Sequence, residues 1–277
     1  MTSCIDYYYN ITTFKPILNF LSYIVCNFNN YDDSIYLNYQ YEKYNNLNNY
    51  NEKLELVKNN YPNIYYFFLS TSIIFLSDFI LILLFGLKAR WFQLHSSINF
   101  VISIYIIKDY IKILIDPSNG YETLDNNFVS YLILNLHLFH LLTFNNLGFY
   151  DYFHHILFVG FGVIPTIIYI KTNQCYLGYI PCSGIPGVIE YTFLALYKNN
   201  KISLNTQKYI NSLNYNFFRF PLCIIGSTYN FIHYNNKILI DNYYMTIYIN
   251  FLLFLNGSLF NYLTLASYFQ KKYNKII

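Results

Sequence analysis

Residues Ile64–Gly86 read IYYFFLSTSIIFLSDFILILLFG, an apolar run whose one charge is Asp78. A helix needs about 20 consecutive apolar residues to cross the ~30 Å hydrocarbon core of a bilayer, so this run predicts a transmembrane helix. Working outward toward the C-terminus, further apolar runs occupy Trp91–Ile115, Phe128–Phe144, Phe153–Ile170, Cys175–Tyr197, Phe217–Tyr234 and Tyr243–Phe269. The expected fold class is therefore all-α, a polytopic membrane helical bundle of about seven transmembrane helices. Working outward toward the N-terminus, residues 29–60 are rich in Asn, Tyr and acids (Asp32, Asp33, Glu42, Glu52, Glu55), with a short helix expected over 51–59. Residues 11–28 are apolar but interrupted by Lys15 and Pro16, which suits an interfacial or signal-like segment better than a full span. Two parts are expected: a non-membrane or interfacial segment at 1–63 and a transmembrane domain at 64–277.

Composition agrees. Of 277 residues, 55% are hydrophobic and only 11% charged, against roughly 25% charged in an ordinary soluble domain. The mean hydropathy is +0.25 despite the polar N-terminal stretch. A net charge of +3, scattered along the chain, excludes a nucleic-acid-binding surface, which needs clustered basic residues. Heavy use of Asn, Ile, Tyr, Lys and Phe suggests an AT-rich genome, so single Tyr and Asn residues carry little functional weight. The five cysteines form no CxxC pair and read as small apolar fillers.

Loop charge sets the orientation, because Lys and Arg accumulate on the cytoplasmic side. With seven spans, one set of connections carries Lys88 and Arg90, then Lys198, Lys201 and Lys208, then Lys271, Lys272 and Lys275. The other set carries the acidic N-terminal segment, then Asp116, Glu122 and Asp125, then Lys171, then Lys237 beside Asp241. This places the N-terminus in the lumen and the C-terminus in the cytosol, with the endoplasmic reticulum or another internal membrane as the expected location. Asn10-Ile11-Thr12 is a glycosylation sequon on the luminal side.

Ionisable residues inside a bilayer are costly and mark functional sites by default. Counting 1.5 Å of rise per residue, His95, His137, His140, Asp151, His154, His155, Glu190 and Arg219, together with Asp78, all fall in the cytoplasmic half; His233 alone sits at the outer end. The convergent expectation is a cytosol-facing cavity. His137 and His140 are three apart and share a helix face. Asp151 precedes His154 by three and His155 by four, which would let its carboxylate orient an imidazole base. Structural alternatives stay open: Asp151 as a helix cap, His137 and His140 as interhelical hydrogen-bonding groups, and Arg219 as a snorkelling interfacial cation. Arg219 is expected within salt-bridge reach of Glu190 or Asp151. No resident metal is expected, since one HxxH and one bare HH do not make a complete set of histidine boxes.

Three segments resemble the TLC-domain family, which includes ceramide synthases and smaller lipid-associated membrane proteins. They are Lys88-Ala-Arg-Trp-Phe-Gln-Leu-His95 closing at Asp116-Pro117, then His137-Leu-Phe-His140 with Asp151-Tyr-Phe-His154-His155, then Ser183-Gly-Ile-Pro-Gly-Val-Ile-Glu190 through Lys198. The resemblance covers roughly residues 64–272 and implies a barrel of six helices with one preceding span. The chain departs from ceramide synthases by lacking a His-Asp element near Ser183-Gly184. What the resemblance implies is a role in lipid metabolism. If catalytic, the chain would be an acyltransferase-like enzyme using His155, His154, Asp151 and His140, with acyl-CoA as co-substrate and no bound cofactor. His95, His137, Glu190 and Arg219 would hold the lipid or its headgroup. The alternative is a non-catalytic lipid-binding or membrane-homeostasis protein. A channel or carrier is disfavoured by the absence of visible inverted repeats. The expected partner is a membrane lipid, not a nucleic acid.

Overall fold

The computed structural model describes residues 62–124, 126–144, 147–170, 172–235 and 243–273. The polar segment 29–60, the run 11–28 and the expected helix at 51–59 lie outside them. The chain divides into two compact units, Met1–Tyr66 and Phe67–Ile277. Of the first, the described part is the opening turns of one helix. Everything below concerns the second.

Among the described residues the regular structure is helical, apart from an isolated bridge between Thr123 and Thr172. In chain order the helices are α1 (Pro62–Phe85), α2 (Arg90–Ile115), α3 (Phe128–Thr143), α4 (Phe149–Tyr169), α5 (Tyr176–Ser183), α6 (Ile185–Lys198), α7 (Leu204–Asn214), α8 (Phe220–Asn235) and α9 (Tyr243–Tyr273). Each of the seven apolar runs is thus helical. Three helices are long and apolar enough to cross a membrane: α1, α4 and Tyr244–Tyr273 of α9. The outer face of α1 exposes Leu76, Leu83, Leu84 and Phe85, the apolar surface a lipid-facing helix presents.

Two expected spans take a different form. Cys175–Tyr197, read as one run, is broken at Gly184 into α5 and α6. A Cβ on Gly184 would lie 2.5 Å from the Ile180 carbonyl oxygen, so only glycine lets the chain turn there. The run Phe217–Tyr234 begins much earlier, because α7 continues through a π-helical turn, Tyr215–Arg219, into α8. A second π-helical stretch, His155–Val163, lies inside α4. Both stretches end two residues before a proline, Pro165 and Pro221. Proline has no N–H to donate and its ring crowds the carbonyl four residues back. Bonding to the fifth residue back instead, as Ile164 N–H does to Val159 and Phe220 N–H to Tyr215, relieves that conflict.

Helix ends follow local chemistry. Gly86, at φ +75°, stops α1 in the left-handed conformation that favours glycine. At the end of α2, Asp116 accepts from the Ser118 N–H (3.0 Å) ahead of a short turn that begins at Pro117. The core runs along one face of α2, through Leu94, Ile98, Ile102, Ile106 and Ile113. Leu132 and Leu136 of α3 and Leu177 and Ile180 of α5 pack into it. Beside that apolar stripe α2 carries a buried polar one, Arg90, His95, Asn99 and Ser103, and this second stripe builds the site.

Candidate functional site: a buried histidine cluster

Five histidines from three helices meet. His95 comes from α2, His137 and His140 from α3, His154 and His155 from α4. All but His154, which is half-buried, are buried. His137 lies 5.3 Å from His95, 5.5 Å from His154 and 5.1 Å from His155 between ring centroids, so it occupies the middle. His95, His140 and His155, expected to converge on one cavity, lie close together, His95 and His140 6.1 Å apart and His140 and His155 4.8 Å, but of the three only His95 lines the cavity described below. The π-helical stretch begins at His155; its wider turn brings adjacent side chains closer in direction, which lets both His154 and His155 face inward.

Hydrogen bonds fix the state of one ring and pair two others. His137 Nδ1 lies 2.8 Å from the Ile133 carbonyl oxygen. A carbonyl only accepts, so Nδ1 carries the proton and, in the neutral ring, Nε2 is a bare lone pair. His155 Nε2 and His140 Nδ1 are 2.8 Å apart, so one donates to the other. His95 Nε2, His154 Nδ1 and His155 Nδ1 are buried without a hydrogen-bond partner among the described residues. Ring nitrogens of His137, His154 and His155 lie within 4.8 Å of one another. Aromatic walls hold the rings: Trp91 stacks on His140 (3.3 Å, 23°), and Tyr191 stacks on His95 (4.3 Å, 27°).

A cavity of about 100 Å³ opens beside the cluster, with His95, His137, His154, Tyr191, Arg219 and Asn256 among its lining. Much of the remaining wall is apolar, including Ile133, Phe158, Leu252 and Leu253. Arg219 sits four turns into the continuous α7–α8 helix rather than near a helix start, and it is buried, not snorkelling. Its Nη1 donates to Glu190 Oε2 (2.9 Å), the partner expected from sequence, and to the Tyr215 hydroxyl (2.8 Å). Nη2 donates to Asn256 Oδ1 at 3.3 Å, and Tyr215 in turn donates to Glu190 at 2.8 Å. Tyr215 and Arg219 span the second π-helical turn, which aims both at one carboxylate.

Asp151 takes another place. It is the third residue of α4, it is exposed, and its Oδ2 accepts from the Gly148 N–H (2.9 Å) at the helix start. The capping role, not the orienting one, is what it performs here; the partner of His155 is His140. Arg90 also departs from expectation. Read as a loop charge, it is buried and forms a two-pronged ion pair with Asp78, Nε to Oδ1 at 2.7 Å and Nη2 to Oδ2. The side chain of His233 lies outside the described residues.

Sequence reasoning missed Trp91, Tyr191, Tyr215, Asn99 and Asn256. Only Trp91 carried a signal, as the single tryptophan of the chain. With 34 tyrosines and a similar excess of asparagine, individual Tyr and Asn residues stand out from nothing.

The fold and site together define an all-helical protein, with three helices suited to crossing a membrane and a buried polyhistidine cavity. Comparison with models of known families, with curated proteins and with solved structures finds no match.

Proposed function

We propose that this is a multi-pass membrane protein of the TLC-like class that receives the polar end of a membrane lipid in the histidine cavity. The observation that carries the reading is the cavity's mixed lining: imidazoles and Arg219 share it with apolar side chains such as Ile133, Phe158, Leu252 and Leu253. A lipid offers both a polar and an apolar part to such a lining. In the full proposal about seven helices cross the bilayer, six of them forming a barrel. The N-terminus is luminal and the C-terminus cytosolic in the endoplasmic reticulum or another internal membrane. The lysine asymmetry of the connections, with buried Arg90 left aside, supports that orientation.

If the cavity turns lipid over, acyl transfer from an acyl-CoA is the reaction class that the TLC resemblance suggests. A bare imidazole nitrogen of the cluster would accept the proton of the attacking hydroxyl or amine, and the His140–His155 contact would relay it. Arg219 and its neighbours would stabilise the developing oxyanion. The second reading, non-catalytic lipid binding, is favoured by the missing His-Asp element and by the engagement of Asp151 with Gly148. Mass spectrometry of lipids that co-purify with the detergent-solubilised protein, paired with an acyl-CoA turnover assay, tests both. Under catalysis His140→Gln abolishes turnover while lipid is retained. Under binding alone no turnover exists and substitution at Tyr191 weakens retention. Purification free of any lipid, with no turnover, ends both readings.

A further inference from the structure

We infer that His137, His154 and His155 form a binding site for one divalent transition-metal ion, Zn²⁺ foremost, with a fourth coordination position facing the cavity. The inference stands on the cluster alone and does not depend on the lipid or the reaction proposed above. The sequence expectation of no metal rested on counting histidine boxes; the geometry supplies what the count could not.

Three observations carry it. First, one ring nitrogen from each of the three residues falls within 4.8 Å of the other two. A tetrahedral ion with Zn–N distances of about 2.0–2.1 Å would draw them to roughly 3.3 Å, a closure within reach of small side-chain rotations. Second, each of the three rings has a nitrogen without other employment. His154 Nδ1 and His155 Nδ1 are buried with no partner among the described residues, a cost that folding normally avoids. The bond of His137 to the Ile133 carbonyl leaves its Nε2 as a bare lone pair. Third, the outer partners are those a metal-bound imidazole needs. A ligating histidine typically donates its other N–H to a carbonyl or an equivalent acceptor, which fixes the tautomer. Ile133 serves His137 in this way, and His140 Nδ1 lies 2.8 Å from His155 Nε2, where it would accept that ring's N–H in the metal-bound form.

Three imidazoles and no thiolate or carboxylate in the set suit zinc or a neighbouring divalent ion, not calcium or magnesium. Three protein ligands also leave the open position typical of a catalytic site, and His137 and His154 both line the cavity into which it would point. A water held there would be acidified. The hydroxide left once that water has given up a proton, and not a ligating nitrogen whose lone pair is committed to the ion, would be the base available at the site.

The test uses full-length protein carrying no histidine tag, stripped with chelator in detergent and then offered Zn²⁺ or Co²⁺. The expected result is about one ion per chain by elemental analysis. The Co²⁺ form should show the visible bands of a tetrahedral nitrogen-ligated ion, without sulfur charge-transfer absorption. His137→Gln, His154→Gln and His155→Gln should each abolish stoichiometric binding, while His95→Gln should retain it. His140→Ala, which removes the partner of one ligand, should weaken affinity by about 10–100-fold. Should the single variants misfold, X-ray absorption of the Zn²⁺ form of the unaltered protein decides: three imidazole nitrogens support the site. Failure to bind either ion, an all-oxygen or sulfur environment, or binding indifferent to these substitutions would overturn it. None of these readouts involves a lipid, so the two proposals fail separately.

Discussion

The Asp78–Arg90 pair and the histidine cluster lie at opposite ends of one scale. Both are buried, and both draw on the polar stripe of α2. In the first, a guanidinium and a carboxylate meet through two parallel hydrogen bonds, while the rings of Phe139 and Phe144 lie 5.8 and 5.2 Å from the cation. In the second, three imidazole nitrogens have no hydrogen-bond partner among the described residues. A polar group kept for structure closes on its complement; one kept for chemistry leaves a lone pair or a proton available. The difference separates residues that hold α1 to α2 from residues proposed above to take a ligand.

The largest effect should come from breaking the closed pair. Arg90→Ala takes the forked cation away from buried Asp78, at a cost of about 3–5 kcal/mol, read as a fall in the thermal midpoint in detergent. Arg90→Lys should recover only part of it, because an ammonium cannot form the same fork. Next is Arg219→Ala. The Glu190 side chain is 17% exposed, so water can partly replace the lost partner. The expected loss is about 1.5–3 kcal/mol, the range for hydrogen bonds to charged groups. An unchanged midpoint would mean that the Arg219–Glu190 contact adds nothing to stability. Smaller again is His154→Leu in chelator-treated protein. Removing an unsatisfied buried nitrogen offsets the altered packing, so stability should shift by no more than about 1 kcal/mol in either direction. A loss as large as that of Arg90→Ala would mean that the cluster is a structural network and would erase the contrast. The smallest is Lys112→Met: its ion pair with Asp109 is solvent-exposed, and no measurable change is expected.

Helix positions were legible because apolar run length is a strong signal. All seven runs are helical, and the ends of α1 and α2 fall within about two residues of the expected ones. What escaped reading were features that depend on a residue's surroundings. Arg90 looked like one basic residue in a charged connection, and nothing local shows that α2 folds back to set it against Asp78. Asp151 was placed by its spacing to His154 and His155, but α4 starts only two residues before it, and a carboxylate there turns back to the open N–H of Gly148. The pairing of Arg219 with Glu190 was accessible, since a buried guanidinium requires an acid and few were on offer. The five-histidine meeting was readable as shared depth, though not the identity of its central member. His137 holds that place, and its bond to Ile133 is a backbone contact that spacing alone does not reveal.

The π-helical turn at Tyr215–Arg219 also bears on how such a chain tolerates changes in length. Bonding to the fifth residue back, as Phe220 does to Tyr215, accommodates one residue more than an α-helical turn would hold. In register terms it is a stored insertion. Deleting a single residue there would let the ladder close in ordinary α fashion, yet it would swing α7 by about 100° against α8. Gln207, Asn211 and Asn214, now buried, would leave their places, and Asn214 would lose the Pro186 carbonyl it reaches at 2.8 Å. One extra residue thus sets which side of a long helix looks inward, and a shorter chain would keep the helix while turning that face away.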